Sequence, residues 1–532
     1  MKRVALLTVV GVVAACGGSE PAPVTPTPAP SSSASAPVSV ASVASITPPP
    51  PPAKVALVSK RNASSRVVAL RVVIAGGSAD DPAGKEGLTN LTGDMTVESG
   101  TQSLTYAELS KKLYPFAASI GSHTDRDTTV IEVEVAAESL AEMYPLFRDV
   151  VLTPRLDTES FSRLKSRSTS ALVDDLRGSD DEQLGKETLQ AYLYADHPYG
   201  HPAVGTERGL ASITLDDIRA QRASLFCRER VTAGVAGNYP DGFEAQLAQD
   251  LGALPACMST RAALPEPKSL KGMHGLHVVI VDKPSSASVA TSIGFPTTMT
   301  RASDDYPGIF FFMSYLGLHR ESAGVLYQQL REARGFNYGD YAYSEYFAQE
   351  GWERHPRTNI ARRQQFMSLW LRPTKPENAL FALRGALYLY RRQIAEGISG
   401  AEIERFRGFV SRYFALDAQT DARQLGFAID DGIAGSKVPW LEHMRASWSG
   451  LTAESLKASI GRELTGKDLM IVLVSKDGEK LKKTLVSGKP TPPKYDAKKP
   501  AEVTKLDKTI ESLPLGLTDE TVQVVPADQL FK

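Results

Sequence analysis

The nine residues from Gly87 to Met95, GLTNLTGDM, mark the point from which the fold of this chain can be worked out. They follow an apolar run, Val67 to Ala75, and a polar turn, so they are predicted to open a helix. On a helix, Asn90 and Asp94 stand four residues apart and therefore share one face. Gly93, just before Asp94, has no side chain. The stretch has the spacing of a pair of metal ligands, but it contains neither histidine nor glutamate.

The composition is that of a globular protein with more than one domain. The chain has 532 residues, of which 42% are hydrophobic and 23% are charged. Its formal net charge is −1, which gives no electrostatic reason to expect binding to nucleic acid or to an anionic membrane surface. The basic pairs Arg362-Arg363 and Arg391-Arg392 are interpreted as parts of solvated helix faces.

The N-terminus has the pattern of an export signal. Lys2 and Arg3 precede a mostly apolar run, Val4 to Val13, which is too short to span a bilayer. The residues VAAC that end at Cys16 resemble a bacterial lipobox, which implies cleavage before Cys16 and a lipid on its sulfur. Gly17, rather than Asp, follows the cysteine, and the same resemblance then favours the outer membrane, facing the periplasm. An ordinary signal peptide with an incidental cysteine is the alternative.

Residues 1–15 are therefore predicted to be a lipoprotein signal peptide, and residues 16–53 a lipidated cysteine with a tether. The tether consists mainly of Pro, Ser, Ala, Thr and Val, which cannot bury a core and which favour an extended, partly polyproline chain. Its predicted use is to hold a folded body away from the membrane, so that the lipid anchor is the only membrane contact.

Two further cysteines, Cys227 and Cys257, raise the question of a disulfide. Export permits one. Cys227 precedes a predicted strand, Val231 to Gly237, and Cys257 follows a predicted helix at about 242–252 that should return antiparallel to it. The two sulfurs would then lie near each other. Two unpaired buried thiols are the alternative, and both remain open at this point.

A repeat divides the body of the chain into two similar parts. Val58-Ser59-Lys60 recurs as Val281-Asp282-Lys283, and the Asp-Asp turn at 80–81 recurs at 304–305, with offsets of 223 and 224 residues. Each copy is predicted to hold two strands, the turn and a helix, and in the first copy a strand at 129–136 follows. Long helices then close each copy, at about 158–176 and 181–194 in the first and 376–396 and 400–416 in the second. The predicted fold is α+β: two homologous units, 54–262 and 270–485, each a mostly antiparallel sheet covered by helices.

The segments outside the two units are predicted to be a linker and a strap. The linker, 263–269, contains the loop signal Leu264-Pro265-Glu266-Pro267. The tail, 486–532, is first rich in Pro and Lys and regains apolar character at Val522 to Val525. We expect this tail to pack on the body as an extended strap, and disorder is the alternative.

This arrangement resembles the pitrilysin/insulinase family of metallopeptidases, the inverzincins. Three stretches carry the resemblance: GSADDP with GKEGL at 77–88, HPYGHP with GT at 197–206, and LYQQLREARGFNY at 326–338. None is decisive alone, but they occur in order, at family-like spacing, over nearly all of residues 54–485. The resemblance implies the family's fold, with the helix at Gly87 in the place of its zinc helix.

The family's chemistry needs H-x-x-E-H on that helix, two histidines for Zn²⁺ and a glutamate as general base. Aligned on Gly87-Leu88, the two ligand positions hold Asn90 and Asp94, and the base position holds Gly93. The family's distal glutamate should fall at 170–175, where the sequence is SALVDD. An amide and one carboxylate make a poor zinc site. The resemblance therefore predicts no bound zinc cofactor, no metal ligands and no catalytic residues of the family's kind.

Other catalytic centres find little support in the sequence. His197 and His201 stand four apart, but the prolines and glycine around them exclude a helix. No G-x-S-x-G motif occurs for serine catalysis. Independent hydrolysis with an unusual metal stays a third hypothesis.

The second unit keeps an element that the first has lost. Arg331 and Tyr338 stand seven apart in the LREARGFNY segment, and in the resembling family this pair binds substrate near the zinc of the partner half. Arg can donate a fork of hydrogen bonds to a peptide carbonyl, and the Tyr hydroxyl can stabilise an oxyanion. The alternative is that Arg331 pairs with Glu332 or Glu345 and that Tyr338 merely packs.

The selective loss leads to a functional hypothesis. Some zinc-free members of the family complete the site of a zinc-bearing partner. This chain is predicted to be such a subunit, inactive alone, with a metallopeptidase as partner and peptides as substrate, anchored in the envelope. The alternative is a pseudo-enzyme that binds peptide or protein as a scaffold without a catalytic partner.

Overall fold

The computed structural model describes residues 55–348 and 354–532. The predicted signal peptide, the lipidated Cys16 and the tether lie outside the described residues. Residues 52–532 belong to one unit. Among the described helices, none combines the length and the apolar character needed to cross a membrane.

The first sheet has five strands in the order β1-β5-β2-β4-β3. The strands are β1 (Ala56–Arg61), β2 (Val67–Ile74), β3 (Gly121–Thr124), β4 (Thr129–Ala136) and β5 (Val231–Gly237). Only β1 and β5 run parallel, and every other neighbouring pair is antiparallel. In β4, Ile131, Val133 and Val135 alternate with two glutamates, so one face packs in the core.

Eight helices belong to the first unit among the described residues. They are α1 (Leu88–Glu98), α2 (Tyr106–Leu113), α3 (Leu140–Leu152), α4 (Thr158–Ser170), α5 (Asp181–Leu193), α6 (Glu207–Ser212), α7 (Leu215–Leu225) and α8 (Phe243–Leu251). A π-helical segment, Ala171–Ser179, continues α4 toward α5. The stretch predicted as one helix from 158 to 176 therefore changes its hydrogen bonding near residue 171.

The second sheet repeats the first strand for strand. Its strands are β6 (Leu276–Asp282), β7 (Val289–Thr297), β8 (Asp340–Tyr343), β9 (Gln365–Thr374), β10 (Leu469–Ser475) and β11 (Val522–Pro526). The order is β11-β6-β10-β7-β9-β8. Without β11 this is the order of the first sheet, and again one pair, β6 with β10, is parallel while the next three are antiparallel. The predicted α+β fold of two homologous units is confirmed.

The second unit and the tail hold the remaining described helices. They are α9 (Ser269–Gly272), α10 (Tyr306–Gly317), α11 (Pro376–Glu396), α12 (Gly400–Asp417), α13 (Asp421–Ala434), α14 (Trp440–Ser449), α15 (Ala453–Glu463), α16 (Gly478–Val486) and α17 (Ala501–Glu511). A π-helical segment, Tyr327–Glu332, precedes β8. In chain order, α10 stands where α1 stands in the first unit.

The two units exchange a helix. From the first unit, α5 packs against β7 and β10 of the second sheet, where Leu184 and Leu189 join Val474 in one core cluster. From the second unit, α13 packs against β5 and β1 of the first sheet, with Leu425 and Ile429 buried. Each sheet therefore has its own helices on one face and a helix of the other unit on the other face.

The tail lies against both units. β11 adds a parallel strand to the β6 edge of the second sheet. Beyond it, Arg177 of the first unit donates hydrogen bonds to the carbonyl oxygens of Asp528 and Leu530, at 3.2 and 3.3 Å. The backbone N–H of Glu207 donates to the carbonyl of Phe531 at 2.9 Å. The tail thus ties the sheet of one unit to the helices of the other.

The arginine pair Arg362-Arg363 was interpreted as part of a solvated helix face, and this interpretation is wrong. Both residues lie in the extended segment before β9. Arg362 donates twice to Asp125, at 2.5 and 2.6 Å, and Arg363 donates to Asp127 at 2.8 Å. The two carboxylates belong to the turn between β3 and β4, far away in sequence, so no local charge pattern could have revealed them.

Candidate functional site

The start of α1 is fixed by one partly buried carboxylate. Asp81 accepts hydrogen bonds from the backbone N–H groups of Gly87 and Thr89, both at 2.7 Å. These are donors that the first turn of a helix leaves without a partner. Gly87 has φ 103°, and a Cβ there would lie 2.6 Å from the carbonyl oxygen of Val204, so only glycine fits. Burial raises the pKa of Asp81 to about 7.

Two of the three positions that the zinc motif would occupy, 93 and 94, are built into protein contacts. Asp94 accepts from Ser122 Oγ at 2.9 Å and from Arg167 Nη2 at 3.1 Å. Burial raises the pKa of Asp94 above its ordinary value. A Cβ on Gly93 would lie 3.1 Å from Thr129 Cγ2 and 3.2 Å from Thr124 Oγ1. The backbone at position 93 therefore leaves little room for any side chain.

Two arginines of α4 face the acids of α1. Arg167 bonds Glu98 as well as Asp94, with Nη1 2.9 Å from Glu98 Oε2. Arg163 donates to the same Glu98 oxygen at 3.0 Å. Asp94 and Glu98 stand four apart on one helix, and Arg163 and Arg167 stand four apart on the other. Two positive charges thus balance two negative ones where the family's helix would present ligands to a cation.

The residues present do not fit zinc. Asn90 and Asp94 offer only oxygen ligands, and a guanidinium already holds the Asp94 carboxylate. In the distal segment, Asp174 and Asp175 are exposed on the π-helical turns. In the described part of the chain, the one group of three ligand-type side chains is Cys227 with Glu229 and Cys257.

The two cysteines of that group are joined to each other. Cys227 and Cys257 form a disulfide with their Cα atoms 5.0 Å apart. Their sulfurs are therefore not available as thiolate ligands. Glu229 instead accepts a hydrogen bond from the backbone N–H of Cys257 at 2.7 Å, so the bridge fixes the segment before the linker to the start of β5.

The turn at 197–202 is a structural element. His197 lies 3.0 Å, through Nε2, from the carbonyl oxygen of Pro265 in the linker, and its Nδ1 accepts from the N–H of Tyr199 at 3.0 Å. Burial lowers the pKa of His197, which favours the neutral ring. Its contacts hold the linker against the end of α5.

Arg331 and Tyr338 line one open cleft with a volume of about 640 Å³. Arg331 donates to Glu332, its neighbour in the chain, at 2.7 Å. Glu345, the other partner considered, is bonded to Arg301 instead. Tyr338 is 80% exposed, so it does not pack in the core. The alternative prediction for this pair is met in one part only: Arg331 pairs with Glu332, but Tyr338 does not pack in the core.

The loop that carries Tyr338 is held by hydrogen bonds to residues of β8 and β9. Asn337 donates from Nδ2 to Asp340 at 2.6 Å, and its Oδ1 accepts from the N–H of Gly339 at 3.2 Å. Asp340 is fully buried at the start of β8, and burial raises its pKa to about 8. The N–H of Arg372 on β9 donates to the carbonyl of Gly339 at 3.1 Å. An exposed tyrosine thus sits on a fixed loop.

Comparison with known proteins finds one family match and several distant relatives. The family model described as Insulinase (Peptidase family M16) matches residues 56–207. These residues are therefore similar to the insulinase family. It is 23% identical over 287 residues to an uncharacterized zinc protease of Mycobacterium leprae and 24% identical over 186 residues to the Non-peptidase homolog YmxG of Helicobacter pylori. The matches cover 63% and 42% of those relatives and 54% and 35% of this chain.

Solved structures with the insulinase fold cover most of the chain. A peptidase M16 inactive domain from Pseudomonas fluorescens superposes with a TM-score of 0.69 at 20% identity, over 80% of this chain and 97% of that one. A protease from Helicobacter pylori gives 0.65 at 15% identity, over 79% and 96%. At these identities the likeness establishes the fold, and the chemistry has to be read from the residues of this chain.

The residues that align with the family's functional positions lie in two separate places. Arg331 and Tyr338 share a cleft, whereas Asn90, Gly93 and Asp94 lie on α1 beside α4. In the described residues, no hydrogen bond or ion pair joins the two groups. The sequence did not point to Arg163 and Arg167, although their spacing of four matches that of Asp94 and Glu98 and was the available signal. It also did not point to the other charged residues of the cleft, which are Glu182, Arg372 and Lys375.

Proposed function

We propose that this chain is the zinc-free subunit of a two-chain insulinase-type peptidase, and that it supplies Arg331 and Tyr338 to the site of a zinc-bearing partner. The proposal rests on the contrast between the Arg331/Tyr338 positions and the zinc-motif positions. Tyr338 is 80% exposed on a supported loop beside Arg331, whereas Asp94 is bonded to Arg167. The substrate-contacting half is open to a ligand, and the metal half has become a salt bridge.

The chemistry of the pair needs no metal on this chain. A guanidinium donates two parallel hydrogen bonds to a carbonyl or carboxylate. A phenol hydroxyl placed near a scissile carbonyl donates to the oxygen as negative charge develops on it. Arg331 would orient the peptide and Tyr338 would stabilise the oxyanion, while the partner would supply the attacking water and its activation.

The place of action that fits the sequence is the bacterial envelope. We place the chain on the periplasmic face of the outer membrane, held by a lipid on Cys16, with residues 16–53 as tether. Two or three acyl chains give firm anchoring, at about 0.8 kcal/mol for each buried CH₂. Escherichia coli has a periplasmic protease, PqqL, whose structure superposes with a TM-score of 0.60 over 79% of this chain, which supports a periplasmic role for such folds.

The test is to identify what the lipoprotein binds in its own cell. Tagged full-length chain, extracted in mild detergent, should co-purify in equal amount with a chain that carries an intact H-x-x-E-H. The purified chain alone should bind zinc far below one equivalent and hydrolyse no peptide. Purification only as a monomer or as a self-dimer would contradict the proposal and favour the alternative, a peptide- or protein-binding scaffold.

A further inference from the structure

The cleft of Arg331 and Tyr338 carries more positive charge than the one arginine supplies. Arg372 on β9 and Lys375, directly after β9, line it as well, together with one carboxylate, Glu182 of α5. Burial raises the pKa of Glu182 above its ordinary value, which disfavours its charged form. Among the described residues that line the cleft, three cations therefore meet a single acid.

None of the three cations is saturated by its present partner. Arg372 donates from Nη2 to Glu182 at 3.1 Å, and in the described structure its buried Nε has no hydrogen-bond partner. Lys375 lies 3.4 Å from Asp496, and both side chains are largely exposed, a kind of pair that contributes about 1 kcal/mol or less. Arg331 uses Nη1 on Glu332, which is itself half-exposed. The cleft thus has donors left for another anion.

The backbone of two segments that carry the cleft residues is held by hydrogen bonds. Asn337 Nδ2 lies 3.3 Å from the carbonyl oxygen of Arg372, in addition to its bond to Asp340. The N–H of Arg372 is bonded to Gly339 at 3.1 Å. The loop that carries Tyr338 and the strand that carries Arg372 are therefore joined on both sides of Tyr338. Preorganised donors cost less to engage than flexible ones.

We propose that this cleft binds a carboxylate of the peptide, with Arg372 as its main partner. The preferred peptides then either carry an acidic side chain at the cleft or have their C-terminus there. This inference rests on the proposed function, because it names the class of peptide that reaches Arg331 and Tyr338. A guanidinium matches a carboxylate with two parallel hydrogen bonds. A cleft lined by one sign of charge also raises the local concentration of the opposite charge. Its volume of about 640 Å³ is within the usual range for ligand sites, about 300–1,000 Å³.

The carboxylate can come from an acidic side chain or from the C-terminus, and four labelled, unstructured peptides separate these sources. One has internal Glu and an amidated C-terminus, and one has Gln in its place and a free C-terminus. The third has Gln and an amidated end, and the fourth has Lys and an amidated end. Fluorescence anisotropy with the full chain, without a partner, should give at least one carboxylate peptide about tenfold tighter binding than the third, which is about 1.4 kcal/mol.

The salt dependence and the variants make this test specific. The advantage of the carboxylate peptide should shrink at high salt and disappear in Arg372→Gln. Glu182→Gln should have the opposite effect and tighten binding, because it removes the competing acid and frees donors of Arg372. Lys375→Gln, a change at an exposed side chain, should weaken binding less and keeps the test valid if Arg372→Gln does not fold. Arg392→Gln, on an exposed part of α11, is the matched control and should change nothing.

The outcomes distinguish this inference from the proposed function. If neither carboxylate peptide binds more tightly than the Gln peptide with an amidated end, or if Glu182→Gln weakens binding of the carboxylate peptide, the carboxylate site is overturned. Neither result concerns the partner subunit, since the assay contains none. Conversely, the absence of a metallopeptidase partner would overturn the proposed function and leave a measured preference for carboxylate-bearing peptides standing.

Discussion

At the scale of single residues, two carboxyl groups, one partly and one fully buried, hold local structure around the site. Asp81 holds the start of α1 through two backbone N–H groups, and Asp340 holds the loop below Tyr338 through Asn337. The two differ in how well they are satisfied. One oxygen of Asp340, Oδ2, is buried in the described structure without a hydrogen-bond partner, so the charged form is poorly solvated there.

Asp340→Asn should change how stability depends on pH. Burial raises the pKa of Asp340 from 3.8 to about 8, so the folded state keeps the proton that the unfolded state loses above pH 4. The free energy of unfolding therefore falls as pH rises from about 4 to 8, by at most about 1.4 kcal/mol per unit of pKa shift. The asparagine variant does not bear this cost. Its melting temperature should exceed that of the parent protein at pH 8 and approach it at pH 4.

The control for this change is Asp496→Asn, because Asp496 is fully exposed. It should leave the pH profile unchanged. Parallel profiles for Asp340→Asn and the parent protein between pH 4 and 8 would show that the Asp340 carboxyl does not titrate in the expected way.

At the scale of elements, charge pairs join α1 to α4 at the place where the family's zinc motif would lie. The acids at 94 and 98 meet the arginines at 163 and 167, so four residues on two helices form one network. We therefore expect that replacing residues on α1 alone does not rebuild a metal site.

The triple change Asn90→His, Gly93→Glu and Asp94→His should therefore give no peptidase activity. Arg167 would remain beside the second ligand position, the segment at 170–175 supplies no glutamate, and a side chain at 93 meets Thr124 and Thr129. Zinc binding by calorimetry and hydrolysis of a quenched fluorescent peptide are the measurements. An active triple variant would prove the account of the missing distal ligand wrong.

The contact of α13 with the first sheet can be tested with two glycines of the same helix. A Cβ on Gly426 would collide with Thr358 Oγ1 and with the Arg71 guanidinium, whereas nothing lies within 4 Å of the corresponding position on Gly432. Gly426→Ala should lower the free energy of unfolding by about 1–3 kcal/mol through overpacking. Gly432→Ala should raise it by about 0.5–1 kcal/mol, because alanine is the better helix former. Urea unfolding measures both, and equal effects would contradict the close packing of α13.

The regular elements could be predicted from the sequence because their patterns are local. The strands 129–136 and 231–237 and the helix 376–396 have the predicted bounds, since alternation or helical periodicity and flanking turns define them. The short edge strands β3 and β8 were not predicted. Each has four residues and mixed polarity, too little for a period to be recognised.

At the scale of the whole molecule, what sequence patterns could not show is how the two units meet. The exchange of α5 and α13, the bonds of Arg362 to Asp125, and the contacts of Arg177 with the tail all join residues far apart in the chain. The same is true of the cleft, where Glu182 of the first unit joins Arg331 and Arg372 of the second. Arg331 and Tyr338 were predictable because they lie in one motif, and the rest of their surroundings depends on the assembled fold.

The central claim is that Arg331 and Tyr338 complete the site of another chain. The most direct measurement is the rate of peptide hydrolysis by the pair reconstituted from this chain and its metallopeptidase partner, with Arg331→Ala compared with Arg392→Ala on α11. We expect Arg331→Ala to lower kcat by about 100-fold or more, because a peptide that is no longer oriented reacts from a misplaced geometry, with unchanged affinity between the subunits, and Arg392→Ala to have no effect. A full rate with Arg331→Ala in a correctly assembled pair would contradict the claim.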